Sequence, residues 1–323
     1  MLEFITKPKF IQNLIESDDI DHFDSVARPW DLEFRKLNKN TKFKARLNRI
    51  DAPDFLLIKA DFLDILEQKG APPKGMRTFW IPANKDQQFY WRKNNVNGSQ
   101  IGIFPLEAEL EATSKPGFSV FVLSVPESML VEKAARMQYD WNLLNKDIHK
   151  DHIKLESERM QHIRQHFHDF FALHSMSNDP GQLNQIFDQN MNRLVDEVIL
   201  SYKTLPVRYR PDKSNRLRIF KKFKEYIISN PGFEYRSDVL CEYLACSERT
   251  FQYAIKYFTG LTPLQYVKSQ NLNFAREELL KSAPQSTKIF EIALRYGFWH
   301  NSQFIQDYKR IFGERPSETL YRN

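Results

Sequence analysis

The 323 residues, 41% of them hydrophobic, are enough for two domains with real cores. The longest apolar stretch, FLLIKADFLDIL, is interrupted by Lys59, Asp61 and Asp64, which excludes an uninterrupted span of the roughly 18 apolar residues a membrane requires. The net charge of +6 is concentrated: residues 208–323 carry 20 Lys and Arg against 12 Asp and Glu, and the rest of the chain 27 against 29, so an anionic partner is expected at the last third.

The first part reads as β. KFKARLNRI alternates through Phe43, Ala45 and Leu47, and RTFWIPA, QQFYWRK, SQIGIFPL and SVFVLSV follow as short aromatic and β-branched runs separated by Pro, Asn and Gly turns. The spacing predicts an antiparallel β-sandwich or cupin-like barrel over 1–126. Trp80, Phe89, Tyr90, Trp91 and Phe104 read first as sandwich core and second as the wall of a ligand pocket. From Glu127 to His174 apolar residues recur at three- and four-residue steps with almost no breakers, and a further helix is expected from Gln182 to about Tyr202; together 127–205 form a helical connecting or dimerisation region. LPVRYRPDKSNR, with two prolines and four basic residues, predicts a linker over 206–216. The fold class is α+β, with an all-α domain at 217–323.

Six of the eight histidines fall within His149–His174, and His162 and His166 share a helical face. They lack the carboxylate of a His-Glu-x-x-His pattern, and no histidine stands between His22 and His149, where an iron cupin would carry its ligands. No metal and no cofactor are expected. With no Walker loop, no Gly-x-Ser-x-Gly elbow and no nucleophile paired to a base, the chain is read as a non-enzyme; the alternative is a metal-dependent or other enzyme in the β-rich part fused to a DNA-binding module. Cys241 and Cys246, five apart, are expected on different helix faces, with neither a disulfide nor a zinc site.

In SDVLCEYLACSERTFQYAIKYFTG a short helix ends near Ala245 and Ser247 is placed to cap the next. On that second helix Phe251, Ala254, Ile255 and Phe258 form a buried stripe, leaving Arg249, Gln252, Tyr253 and Lys256 outward. KIFEIALRYG repeats the arrangement: Gly297 suits the left-handed position that ends a helix, and Phe298 packs back across the turn. On the helix that follows, Phe304, Tyr308, Ile311 and Phe312 are expected inward and Ser302, Gln303, Gln306, Lys309 and Arg310 outward. Two such units are helix-turn-helix geometry, and their outward side chains suit base edges and phosphates of double-stranded DNA in the major groove. Between them TPLQYVKSQNLNFAREELLK predicts a helix of about 18–20 residues, roughly 27–30 Å long, close to one turn of B-DNA.

Through LCEYLACSERTFQ, GLTPLQYV and ALRYGFWHNSQFIQDYKRIFGERPSETL, residues 217–323 resemble the DNA-binding domain of the AraC/XylS family of bacterial transcription regulators. The resemblance implies a cytoplasmic regulator that activates transcription with RNA polymerase, acts as a homodimer, and uses residues 1–126 to sense a small-molecule effector, to dimerise, or both. It also implies that Arg249, Gln252 and Tyr253 in the first unit, and Ser302, Gln303 and Gln306 in the second, face DNA bases, while Lys256, Lys309 and Arg310 suit phosphate. Tyr253 and Asn271 stand where arginine is frequent in the family, and Ile255 where phenylalanine is usual.

Overall fold

A strand apolar on both faces needs cover on both sides, and β11 (Phe118–Pro126), FSVFVLSVP, is buried almost throughout. In the computed structural model, which describes residues 9–26, 31–37, 43–91, 94–104, 110–141, 152–172, 179–203 and 215–322, β11 is the centre of a seven-stranded antiparallel sheet. Its order is β1 (Ile11–Ser17), β3 (Ala45–Ala52), β4 (Phe55–Phe62), β11, β6 (Met76–Pro82), β9 (Gln100–Ile103) and β12 (His152–Lys154). A second antiparallel sheet runs β2 (Asp31–Lys36), β5 (Leu66–Ala71), β10 (Leu110–Thr113), β7 (Gln88–Trp91) and β8 (Asn94–Asn97).

Alternation divides the side chains of the larger sheet between two cores. Leu47, Ile58, Phe62, Trp80 and Val120 meet Phe89, Trp91, Leu110 and Ala112 of the smaller sheet. Ile50, Leu57, Phe79, Ile81, Phe121 and Leu123 turn outward, where α2 (Glu127–Arg136), α3 (Ser157–Phe171) and α4 (Pro180–Lys203) cover them through Leu130, Phe167, Phe170 and Val198. The expected α+β class and the β-rich first part are therefore present.

Two elements differ from expectation. The helical pattern does not run through from Glu127: α2 stops at Met137, and Ile153 pairs with Ile101 so that β12 closes the β9 edge and buries Ile153 and Leu155 in the outer core. Burial against a sheet overrode local helical spacing. A short helix, α1 (Ile20–Val26), also interrupts the strands; the Asp19 carboxylate accepts the Asp21 and His22 backbone N–H groups and starts it, and Phe23 is its buried anchor. Of the linker expected at 206–216, residues 206–214 lie outside the described residues, as do His149 and His174, while Asn215 and Arg216 already belong to a helix.

The last third is helical: α5 (Asn215–Ser229), α6 (Ser237–Leu244), α7 (Glu248–Thr259), α8 (Pro263–Lys281), α9 (Ile289–Arg295), α10 (Asn301–Phe312) and α11 (Pro316–Leu320). It does not stand clear of the β-rich part. Leu37, Ile65 and Tyr90 enter the core made by Phe220, Phe258 and Tyr266, with the Tyr90 ring edge-on to Phe258 at 4.9 Å. Period-two alternation in the smaller sheet makes this docking possible: Phe34, Gln68, Ala112 and Trp91 point between the sheets, while their neighbours Arg35, Glu67, Glu111 and Tyr90 point at the helices.

Candidate nucleic-acid interface

α6 ends with Ala245 in the left-handed region at φ 47°, and Ser247 Oγ then accepts the Thr250 backbone N–H at 3.3 Å to start α7. The reversal also brings Cys246 back over Cys241, its N–H donating to the Cys241 carbonyl at 3.0 Å and the two free thiols touching. The expectation that they occupy different faces is corrected: it assumed an unbroken helix, whereas the helix-ending turn folds the chain onto its own last turn. Burial, and then the neighbouring sulfur, raise the Cys241 thiol above its ordinary value.

The second unit reproduces the first. α9 gives way to Gly297 at φ 79°, whose successor Phe298 donates to the Ala293 carbonyl at 2.9 Å and packs on Phe304 with ring centres 5.2 Å apart. α7 and α10 are each 12 residues, each stopped by a left-handed glycine, Gly260 and Gly313, with a proline three residues on that opens the next helix. Phe251, Ala254, Ile255 and Phe258 on α7 are buried, as are Phe304, Tyr308 and Ile311 on α10, with Phe312 half-buried. All nine residues expected outward are exposed: Arg249, Gln252, Tyr253 and Lys256 on α7, and Ser302, Gln303, Gln306, Lys309 and Arg310 on α10. The Arg249 guanidinium stands 5.6 Å from the centre of the Tyr253 ring, and Arg310 pairs loosely with Asp307 at 3.8 Å.

Between the units α8 is one unbroken helix of 19 residues, about 28 Å long. A reciprocal capping box opens it: Thr262 Oγ1 accepts the Gln265 N–H at 3.3 Å, and Gln265 Oε1 accepts the Thr262 N–H at 2.9 Å. It is buried nearly all round, because it packs against both units and the β-rich part. Asn271, at the position where the resembled family has arginine, accepts the Gly232 N–H at 3.3 Å. Gly232 in turn abuts the second unit: at φ 79°, a Cβ there would lie 2.0 Å from the Arg295 carbonyl oxygen. The two units are thus seamed backbone to backbone beside α8.

The sequence reading missed the contacts that hold this assembly to the β-rich part. Glu67, fully buried, accepts from Lys224 Nζ at 2.8 Å, Tyr266 Oη at 2.8 Å and Gln270 Nε2 at 2.7 Å, and Lys224 also reaches Glu111 at 2.8 Å. Burial opposes ionisation of Glu67, but Lys224 and the donors around it hold the carboxyl below its ordinary value; burial likewise opposes the Lys224 charge, and Glu67 and Glu111 raise it above its own. On the second unit's side, Arg276 donates to both Asp21 and Glu314, and Arg322 bonds Asp19 at 2.9 Å and Asp21 at 2.7 Å. No local spacing signals such pairs; Asp21 and Arg322, for example, stand 301 residues apart.

Residues 240–322 match the family model of a helix-turn-helix domain. The C-terminal third is a helix-turn-helix domain of the AraC/XylS type. Among similar proteins, the XylDLEGF operon transcriptional activator 2 of Pseudomonas putida is 32% identical over 101 residues, 31% of this chain and 64% of that one. The probable thc operon regulatory protein of Rhodococcus erythropolis is 39% identical over 74 residues, 23% of this chain and 22% of its own length. The chain therefore spans less than two thirds of these relatives. A solved structure of the AraC-like transcriptional activator CuxR is 10% identical, with a TM-score of 0.45, and the alignment covers 82% of this chain and 95% of that one. The AraC/XylS-type domain holds all nine outward residues, but Asp307, also on α10, is buried beneath Arg310 and narrows the polar face.

Proposed function

We propose that this protein is a sequence-specific DNA-binding transcription regulator, acting as an activator in the cytoplasm, in which α7 and α10 each read a few base edges in successive major grooves. The observation that carries the reading is the duplicated unit: two 12-residue helices with apolar faces buried and nine polar or basic side chains exposed, joined by a continuous 19-residue helix. Arg249, Gln252, Tyr253, Ser302, Gln303 and Gln306 would meet bases, and Lys256, Lys309 and Arg310 phosphates. RNA polymerase and a second copy of the chain are the protein partners in this reading.

The effector site is assigned to the apolar cavity between the two sheets, about 70 Å³, walled by Phe34, Phe62, Trp80, Phe89, Trp91 and Phe104. Four of the five aromatics weighed from sequence thus form its wall, and Tyr90 faces the helices instead. The Trp80 and Trp91 indole N–H groups are buried without an acceptor among the described residues, which suits a small apolar molecule carrying one. Since one sheet has the cavity on one face and Glu67, Glu111 and Tyr90 on the other, a ligand that shifts this sheet shifts the docked helices. Selection of duplexes by the full chain from a random-sequence pool at physiological salt tests the DNA reading. An enriched asymmetric site spanning about two helical turns is expected; retention without enrichment would leave only salt-dependent, sequence-blind binding.

A further inference from the structure

Of the tryptophans among the described residues, Trp80, Trp91 and Trp141 are at most 2% exposed, whereas Trp299 is 68% exposed. Its backbone setting explains how it is held there. Gly297 turns the chain at φ 79°, the Phe298 N–H is tied to the Ala293 carbonyl, and the Phe298 ring is buried against Phe304. With Phe298 fixed inward, the next side chain is delivered outward, immediately ahead of α10.

Trp299 lies two residues ahead of α10, outside the helix and beyond the extended cap residue His300, so its exposed side chain adjoins the N-terminal end of the helix whose exposed stripe runs through Ser302, Gln303 and Gln306 to Lys309 and Arg310. In a helix-turn-helix the N-terminal end of the second helix goes deepest among base edges. The two units differ at this point. Registered on their capping residues, Ser247 and His300, and their stopping glycines, Trp299 corresponds to Cys246, which is half-buried. The first unit presents Arg249 and Tyr253; the second presents the neutral, hydrogen-bonding Ser302, Gln303 and Gln306, and the indole is the large apolar surface at its leading edge. The apolar group that a major groove offers such a surface is the C5-methyl of thymine.

We infer that Trp299 is a specificity-determining residue of the second unit, laying its indole against a thymine methyl beside the base pairs that Ser302 and Gln303 reach. The inference rests on the DNA reading proposed above and adds to it a base-pair preference that no hydrogen-bonding residue supplies. Replacing thymine by deoxyuridine removes the methyl and leaves the pairing intact, so the contact can be deleted from either side.

The probe is the duplex selected from the random pool by the full chain, with each thymine of the half bound by the second unit changed in turn to deoxyuridine. One position is expected to weaken parent binding about fivefold or more. Trp299→Ala should lose a similar factor on the thymine duplex and lose nothing further at that position, and Trp299→Phe should recover part of the affinity. Acrylamide quenching of the parent minus that of Trp299→Phe isolates this one indole from the other four, Trp30 among them; DNA should shield it. If the duplex binds but the indole stays as accessible as in free protein, or the deoxyuridine profiles of parent and Trp299→Ala coincide, Trp299 does not read thymine. Absence of any enriched duplex is a different result and overturns the DNA reading itself.

Discussion

Arg249 and Lys309 are both exposed and cationic, yet they should fail differently when removed. Arg249 lies in the first turn of α7, 5.6 Å from the Tyr253 ring centre, a stacking that limits its rotamers before DNA arrives. A forked guanidinium so placed suits guanine O6 and N7. Arg249→Ala is expected to cost about 1–3 kcal/mol on the selected duplex and to relax selection at one base pair. Lys309 lies in the last turn of α10, and in the proposed docking it meets phosphate. Lys309→Ala should weaken every duplex alike and reduce the slope of log affinity against log salt by about one. Fluorescence anisotropy titrations over a salt series separate the two, and identical behaviour of both variants would void the assignment of faces. These residues were legible because exposure on a helix follows from three- and four-residue spacing alone. Tyr90 was not, since a strand's period says that neighbours face opposite ways but not which face meets which layer.

The elements of the last third were legible through punctuation: Ser247, Gly260, Thr262 with Pro263, Gly297 and Gly313 all sit where a helix starts or stops. β12 and the environment of α8 were not, because both depend on what packs beside them. A helix carrying Ser269, Gln270, Asn271, Asn273 and Arg276 on buried positions reads locally as a solvated rod, and the partners of Gln270, Asn271, Asn273 and Arg276 include groups far away in sequence, in the β-rich part, at Gly232 and at Glu314. Two substitutions separate a local defect from a defect of the seam. Ser247→Ala removes one cap and should cost about 1 kcal/mol of unfolding free energy. Gly232→Ala forces a side chain into both a left-handed conformation and the Arg295 carbonyl, so it should cost more, and it should also disturb the spacing of the two units. Denaturant unfolding measures the first effect. The second appears as a change in preferred half-site separation on duplexes with one base pair inserted or removed; an unchanged preference would mean that α8 alone sets the spacing.

At the scale of the whole molecule, the smaller β-sheet lies between the apolar cavity and the helix-turn-helix units, and Glu67 is its central tie to the helices. Removing one partner of a buried pair leaves the other charge uncompensated, typically at about 3–5 kcal/mol; Glu67→Gln should fall at the low end because Lys224 keeps Glu111 at 2.8 Å. The pH dependence follows from the directions of the two shifts. Glu67 is held below its ordinary 4.5, so its stabilisation is complete above that value and is lost as pH falls through the lower, folded one. Lys224 is held above its ordinary 10.5, so its stabilisation is complete below that value and is lost as pH rises through the higher, folded one. Between these limits the stability gap between parent and Glu67→Gln should stay constant. Below 4.5 the gap should narrow, because the parent loses a contribution that the glutamine variant never had. Urea unfolding of both proteins from pH 7 down to the acid limit measures the gap. A gap that widens on acidification would mean that Glu67 is protonated in the folded state and is not an ionic tie between the sheet and the helices.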